Sequence, residues 1–127
     1  MELQPRIWMV LASLSGLIAV AAGAFGAHGV SDPQAKSWLQ TGAQYQLVHA
    51  LAVFACVMLW RLGGAGAQIS AWLFIIGGLI FSGSLYVMAL GGPRILGAVT
   101  PIGGVLFIAG WAILAWTAAV GARGTLV

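Results

Sequence analysis

The stretch Ile7–Ala27, IWMVLASLSGLIAVAAGAFGA, carries no charged side chain and is long enough to cross a lipid bilayer as one helix. A helix rises about 1.5 Å per residue, so about 20 apolar residues span a hydrocarbon layer about 30 Å thick. Three more uncharged apolar stretches follow, at Tyr45–Trp60, Ile69–Leu90 and Ile102–Val120. We therefore predict an all-α fold, a four-helix transmembrane bundle that runs up-down-up-down.

The composition of the chain supports a membrane environment for all of it. Hydrophobic residues make up 61% of the 127 residues and charged residues only 6%, whereas soluble domains carry about 25% charged residues. We therefore expect the lipid bilayer to surround one integral-membrane domain, residues 1–127. The basic residues that give the formal net charge of +3 are scattered. Without a basic patch, nucleic-acid binding is not expected.

The charged residues lie in the connections between spans and bear on orientation. In a four-span protein, Arg6, Arg61 and Arg123 fall on one side of the membrane, and Lys36 and Arg94 fall on the other. Cytoplasmic loops carry an excess of basic residues. The three-to-two bias predicts that both termini are cytoplasmic.

Two proline-containing pairs predict where helices begin. Asp32 precedes Pro33, which is the arrangement of an N-cap carboxylate followed by proline at the first helical position. From this pair we predict a short interfacial helix, Pro33–Gln40, in the first loop. Thr100 precedes Pro101 in the same way, so Thr100 is predicted to cap the fourth span.

Tryptophan positions predict how the spans sit relative to the headgroups. Aromatic residues favour the membrane interface, and four tryptophans fall near the terminus-side ends of their spans: Trp8, Trp60, Trp72 and Trp116. These four are expected to form an interfacial belt. Trp111 lies deeper in its span and is expected to pack between helices.

Small residues predict close contacts between helices. Glycine accounts for 19 residues, and small side chains let membrane helices approach closely. In the first span they recur every fourth residue, which places them on one face of the helix. The predicted helix-packing positions are Ser15, Ala19, Gly23, Ala27, Gly78, Gly103 and Gly104.

The polar residues of the spans are expected at one membrane face. Because the helices alternate in direction, the ends of the first and third spans meet the starts of the second and fourth. The candidate ligand-binding residues there are His49, Tyr45, Gln46, Ser82, Ser84, Tyr86 and His28. His49 lies inside the membrane, where a neutral imidazole must satisfy one donor and one acceptor. Its expected partners are Ser82, Ser84 and Tyr86.

Three interpretations of His49 remain open at this point. It can be a structural histidine that joins the second and third helices. It can belong to a pocket for a small ligand such as a quinone or a lipid headgroup, since ionisable residues within membranes are candidates for function. With His28 it can in principle ligate haem, although one histidine lies at the surface and the other is buried. No cofactor and no metal site are expected, because neither a carboxylate nor a second cysteine beside Cys56 completes a ligand set.

Catalysis is not expected. The carboxylates are Glu2 and Asp32, so general acid–base chemistry would depend on two histidines alone. The segment Phe81–Ser84, FSGS, does not match the Gly-x-Ser-x-Gly turn of serine hydrolases. We predict no enzymatic activity.

Four ordered motifs resemble a known family. They are GAFGAHG at Gly23–Gly29, YQLVHAL at Tyr45–Leu51, FSGSLY at Phe81–Tyr86 and TPIGG at Thr100–Gly104, followed by Gly110-Trp111. Together they resemble the uncharacterised YgdD-like family of small membrane proteins, which occurs in bacterial inner membranes and has relatives in mitochondria. The resemblance implies four transmembrane helices in the bacterial inner (plasma) membrane. It implies no reaction.

The sequence favours a role in association over a role in chemistry. The chain has Gly-rich helix faces and almost no loops, so we predict an accessory or stabilising subunit of a larger membrane complex, or a homo-oligomer. Its expected partners are other membrane proteins or copies of itself. The alternative is a ligand-binding or transport protein with a pocket at the polar face, lined by Tyr45, Gln46, His49, Ser82 and Tyr86.

Overall fold

A computed structural model describes residues 3–121 and contains four long helices in that range. They are α1 (Leu3–His28), α2 (Pro33–Arg61), α3 (Ala67–Ala89) and α4 (Thr100–Trp116). A 3₁₀ turn, Arg94–Ala98, leads into α4, and a π-helical turn, Thr117–Gly121, continues it. All four segments are long and apolar enough to cross a membrane, which confirms the predicted four-helix architecture. Glu2 and Arg123 lie outside the described residues, so the orientation of the termini stays a prediction.

Neighbouring helices run antiparallel, as the alternating arrangement requires. Along α1 and α2, Trp8 contacts Trp60, Ser15 contacts Gln46, and Gly26 approaches Leu39. As the residue numbers along α1 increase, the residue numbers of their partners in α2 decrease, so the two helices run in opposite directions. The ends of α1 and α3 and the starts of α2 and α4 therefore lie on the same side of the bundle.

The four helices are not equally buried. Contacts are extensive between α1 and α2, between α2 and α3, and between α3 and α4. The burial of each helix can be compared over an 18-residue apolar stretch. Of these residues, 56% are buried in α2 and 44% in α3, whereas 17% are buried in α1 and 22% in the segment that contains α4. The helices α2 and α3 therefore form an inner pair, and α1 and α4 are outer helices that expose most of their surface.

The core of the bundle is built around large side chains from all four helices. Trp8, Val53, Cys56 and Phe74 are almost fully buried, and Phe107 of α4 closes the cluster. The prediction that Trp8 sits in an interfacial belt is wrong, because its side chain is 0% exposed. The indole packs inward with its edge against the ring of Trp60, 5.6 Å between centroids and 87° between planes.

The first connection contains no separate helix. Asp32 caps α2 as predicted, since its Oδ2 accepts a hydrogen bond from Ala35 N at 2.9 Å. Residues Pro33–Gln40 are helical, but they are the first turns of α2 and not an independent interfacial helix. Gly42, which follows them, lies within α2, where its carbonyl accepts from Ser82 Oγ at 2.7 Å and the Tyr86 ring packs against it. The 29 residues of α2 extend about 43 Å, more than the hydrocarbon thickness.

The start of α4 also differs from the prediction. Thr100 is the first residue of α4, and Val99 occupies the N-cap position without a side-chain hydrogen bond. The Thr100 hydroxyl instead lies 2.6 Å from Ser84 Oγ of α3 and 3.3 Å from Leu96 O, and it has one hydrogen to donate to either of them. Thr100 is therefore a helix-to-helix contact and not a cap.

Candidate functional site

His49 lies near the middle of α2 and is held by two hydrogen bonds. Its Nδ1 lies 2.7 Å from the carbonyl oxygen of Tyr45, and its Nε2 accepts a hydrogen bond from Trp111 Nε1 at 3.0 Å. An indole N–H can only donate, so Nε2 carries no hydrogen and the ring hydrogen is on Nδ1. Both nitrogens of the neutral ring are thus satisfied. The prediction that Ser82, Ser84 or Tyr86 supplies these bonds is wrong.

Aromatic rings surround His49. The imidazole stacks on Phe107 with 3.6 Å between ring centroids and 8° between planes. Phe74 lies at 5.4 Å on the side of α3, and Tyr45 is nearly parallel to the imidazole at 6.2 Å. These contacts bury His49 to 6% exposure. The side chain is fixed in orientation by its hydrogen bonds and by the rings together.

A polar chain of three residues, Ser15–Gln46–Tyr86, joins three helices. The Tyr86 hydroxyl of α3 donates to Gln46 Oε1 of α2 at 2.7 Å, and Gln46 Nε2 donates to Ser15 Oγ of α1 at 3.1 Å. Gln46 is 8% exposed. Hydrogen bonds between side chains are a main source of helix association in a bilayer, so this polar chain fixes α1 and α3 against α2.

The two serines of α3 use their hydroxyls for helix contacts. Ser82 Oγ donates to Gly42 O of α2 at 2.7 Å. Ser84 Oγ bonds to Phe81 O at 2.9 Å and lies 2.6 Å from Thr100 Oγ1. Both serines are buried. Their hydroxyl groups therefore join α3 to α2 and α4.

The predicted ligand-binding residues do not line one pocket. Tyr45 and His49 line a groove of about 450 Å³ between α2 and α4, whose walls also include Phe81, Phe107 and Trp111. Gln46 and His49 line a separate, partly enclosed cavity of about 20 Å³. The walls of both spaces are formed without Ser82, Ser84 and Tyr86. His28 is exposed at the end of α1, where the last turn is bonded instead by Lys36 Nζ, which donates to Ala27 O at 3.0 Å.

The predicted packing residues differ in how close they bring two helices. Ala19 is buried, and a Cβ added at Gly23 would lie at an ordinary 3.5 Å from Ala43 Cβ. Ala27 is exposed, because successive four-residue steps of 400° drift around a helix that turns once in 3.6 residues. Its place against α2 is taken by Gly26, where an added Cβ would lie 3.0 Å from Leu39 Cβ.

The three remaining packing residues lie on α3 and α4. An added Cβ at Gly103 would lie 2.5 Å from Phe81 N and 2.8 Å from Gly77 O, so the two backbones are in contact there. At Gly104 the nearest atoms are at 3.9 Å, and at Gly78 an added Cβ would meet nothing within 4 Å. Only Gly103 of these three is therefore required by the approach of another backbone.

Comparison with known proteins identifies the family. Residues 22–104 match the family model described as "Protein of unknown function (DUF423)". The chain belongs to this family. Its relatives include a "UPF0382 membrane protein" of Haemophilus influenzae, 42% identical over 86% of this chain and 90% of the relative, and "UPF0382 membrane protein YwdK" of Bacillus subtilis, 41% identical over 86% and 93%. The "UPF0382 inner membrane protein YgdD" of Escherichia coli K12 is 40% identical over 86% of each chain.

Family membership agrees with the resemblance found in the motifs. The chain is a multi-pass membrane protein, and its relatives place it in the bacterial inner membrane, as predicted. No solved structure matches it. The segment that matches the DUF423 model contains His49 and Gln46 but ends before Phe107 and Trp111.

Three side chains that matter for the site were not among the predicted residues. Phe107 and Trp111 of this DUF423 protein are four residues apart on α4 and provide the stacking ring and the hydrogen-bond donor for His49. The four-residue spacing of two aromatic residues could have indicated a shared face. Ser70, in the half of the bundle that the sequence showed as apolar, donates to Gly110 O at 2.8 Å. Serine is too common at helix interfaces for its position alone to have identified this bond.

The chemistry available to these side chains is hydrogen bonding and stacking. Asp32 is engaged as the N-cap of α2, and Glu2 lies outside the described residues. Among residues 3–121, no three His, Cys, Asp or Glu side chains are close enough together to hold a metal ion. The arrangement orients His49 firmly, with both ring nitrogens already bonded inside the protein.

Proposed function

We propose that this protein is a noncatalytic membrane subunit that works by packing its outer helices against other membrane proteins or against a second copy of itself. The single observation that carries the proposal is the uneven burial of the helices. Of an 18-residue apolar stretch in each helix, 56% of residues are buried in α2 and 44% in α3, whereas only 17% are buried in α1. The interior groups His49, Gln46 and Tyr86 are already hydrogen-bonded within the chain, which leaves the outer faces as the available surface.

The outer face of α1 has the composition of a helix-packing surface. Gly16 lies near the middle of α1, and an added Cβ there would meet nothing within 4 Å. The packing of α1 against α2 therefore does not require glycine at this position. Gly16 is half-buried, and Val20, four residues further on and therefore beside it on the helix surface, is more than half exposed. A glycine among exposed apolar side chains permits close approach by a helix from another protein.

The first test measures association directly. Native mass spectrometry of the protein released from membranes in mild detergent is expected to detect a complex with itself or with other membrane proteins. Gly16→Leu is expected to reduce the abundance of that complex without lowering thermal stability, because an added Cβ at this position meets nothing within 4 Å. Gly83→Leu on α3 is the matched control, since a Cβ at Gly83 also meets nothing within 4 Å.

Two results would contradict the proposal in different ways. A strictly monomeric species that copurifies with no protein would overturn the role in association. Complexes that are equally abundant with Gly16→Leu and Gly83→Leu would show that the Gly16 face of α1 is not the surface used.

A second candidate function is binding of a small apolar ligand such as a quinone. The groove of about 450 Å³ that supports this function is lined mainly by aromatic and aliphatic side chains, as ligand pockets usually are. Tyr45 is 45% exposed, and its hydroxyl has no hydrogen-bond partner among residues 3–121. This hydroxyl could bond a ligand carbonyl, while the rings of Phe81 and Phe107 would contact the ligand ring.

Filling the groove tests this second function. A short-chain quinone is titrated into the detergent-solubilised protein by calorimetry. Val105→Trp places a large side chain in the groove, whereas Ile102→Trp modifies an exposed site on the same helix that does not line it. Binding that is lost with Val105→Trp and kept with Ile102→Trp would support the ligand site. Failure of the wild-type protein to bind the quinone would remove quinone as the ligand.

A further inference from the structure

The partly enclosed cavity beside the polar chain lies where α1, α2 and α3 meet. Its volume is about 20 Å³, and about 10–15 Å³ is enough to hold one water molecule. Its wall includes the polar residues Ser15, Gln46 and His49 together with apolar residues such as Phe74. The cavity is therefore the right size for one water molecule and has polar groups on one side.

The hydrogen bonds of Gln46 and Ser15 leave two donor hydrogens without an acceptor. The Gln46 amide has two N–H groups, and one of them donates to Ser15 Oγ at 3.1 Å. The Ser15 oxygen accepts that bond, and its own hydroxyl hydrogen has no acceptor among residues 3–121. Gln46 is 8% exposed. In a bilayer no bulk water reaches these groups, so two unsatisfied donors would be destabilising.

We propose that this cavity binds one water molecule, which accepts hydrogen bonds from Gln46 Nε2 and Ser15 Oγ. The oxygen of water has two lone pairs, which match the two donors. Gln46 Oε1 accepts one bond from Tyr86 and has capacity for a second, so it can accept from the water in turn. Buried waters typically make about three hydrogen bonds, and polar cavities hold them whereas apolar cavities stay dry.

Gly78 gives a way to displace this water. It is buried and lines the cavity, and an added Cβ would meet nothing within 4 Å. Gly78 is part of the cavity wall, so we expect a side chain added there to extend into the cavity. A methyl group introduced there occupies the volume that the water needs.

The test compares Gly78→Ala with Gly83→Ala on the same helix. An added Cβ at Gly83 also meets nothing within 4 Å, but Gly83 does not line the cavity. Alanine favours a helix over glycine in both variants. We expect Gly78→Ala to unfold at a temperature about 4 °C or more below that of Gly83→Ala, because the methyl group expels the water and leaves both donors unpaired. An equal or higher unfolding temperature for Gly78→Ala would show that the cavity is dry and overturn the proposal.

A direct readout does not depend on the stability of any variant. Nuclear magnetic resonance of the wild-type protein in lipid nanodiscs is expected to show magnetisation transfer from water to the side-chain amide protons of Gln46. This transfer should persist in Gly83→Ala and disappear in Gly78→Ala. Absence of the transfer in the wild-type protein would overturn the proposal, even if Gly78→Ala failed to fold.

Discussion

The two outer helices are attached to the inner pair in different ways. At the α3–α4 interface the backbones are in contact, since a Cβ added at Gly103 would lie 2.5 Å from Phe81 N and one added at Gly77 would lie 3.2 Å from Gly103 O. The ring of Phe74 occupies the space beside Gly110, where a Cβ would lie 2.6 Å from Phe74 Cε1. The hydrogen bond from Ser70 to Gly110 O adds to this close crossing, and the bond from Trp111 to His49 joins α4 to α2.

The α1–α2 interface depends more on side chains. Trp8 fills the space at one end, and the hydrogen bond from Gln46 to Ser15 lies near the middle of α1. At Gly23 an added Cβ would be in ordinary contact with Ala43 at 3.5 Å. The difference indicates that α4 is positioned by the absence of side chains, whereas α1 is positioned by particular side chains. Substitutions should therefore affect the two interfaces by different mechanisms.

The largest expected effect is loss of the Trp8 indole from the α1–α2 interface. Trp8→Ala removes a side chain that is 0% exposed and leaves a cavity between α1 and α2. The expected loss of unfolding free energy is about 3 kcal/mol. This is at the lower end of the range for buried tryptophan, because within a bilayer the hydrophobic effect does not add to the loss of packing. Reversible unfolding in mixed detergent micelles measures it. Trp116→Ala is the control, since Trp116 is 70% exposed, and equal losses for both variants would contradict the buried position of Trp8.

The next effect tests the backbone contact of the α3–α4 interface. Gly103→Ala is expected to lower the unfolding free energy by about 2 kcal/mol, because its methyl group collides with backbone atoms that cannot rotate away. Gly104→Ala should have little effect, since the nearest atoms lie at 3.9 Å from its added Cβ. Both variants gain the same helix propensity. Equal stability of the two alanine variants would show that the close crossing is not required.

A smaller effect is expected in the polar chain. Tyr86→Phe removes the hydroxyl that donates to Gln46 Oε1 at 2.7 Å, and the expected loss of unfolding free energy is about 1 kcal/mol. The matched control is Tyr45→Phe, because the Tyr45 hydroxyl is not hydrogen-bonded within residues 3–121. The same micelle unfolding assay applies. A loss for Tyr45→Phe as large as that for Tyr86→Phe would mean that the Tyr86 bond adds nothing.

The sequence predicted the spans well because their chemistry is local. A run such as Ile7–Ala27 needs only its own apolar residues to be recognised as a membrane helix, and the Asp32–Pro33 pair needs only its own geometry to cap α2. The prediction that Pro33–Gln40 is a separate interfacial helix was wrong, because α2 continues through Gly42. In the folded protein this glycine is held by Ser82 and Tyr86, which lie on another helix.

Hydrogen-bond partners could not be predicted because they depend on how helices rotate about their axes. The sequence placed His49, Ser82 and Tyr86 at the same side of the membrane, and it could not show that α2 turns His49 towards Trp111 and Gln46 towards Tyr86. Gln46 and His49 are three residues apart and differ by about 60° in direction around the helix, so membrane depth alone leaves several pairings open. For the same reason Trp8 was assigned to the interface, although its depth is also compatible with the core.

The smallest expected effect distinguishes two of the predicted helix-packing residues of α1, one exposed and one buried. Ala27 is exposed, whereas Ala19 is 2% exposed against α2. Ala27→Leu should change the unfolding free energy by no more than about 0.5 kcal/mol, because the larger side chain extends away from the bundle. Ala19→Leu adds the same volume inside a packed interface and should be clearly destabilising. If Ala27→Leu were the more harmful of the two, the face of α1 that meets α2 would have to be rotated from the one described, and the polar chain through Ser15 would be lost with it.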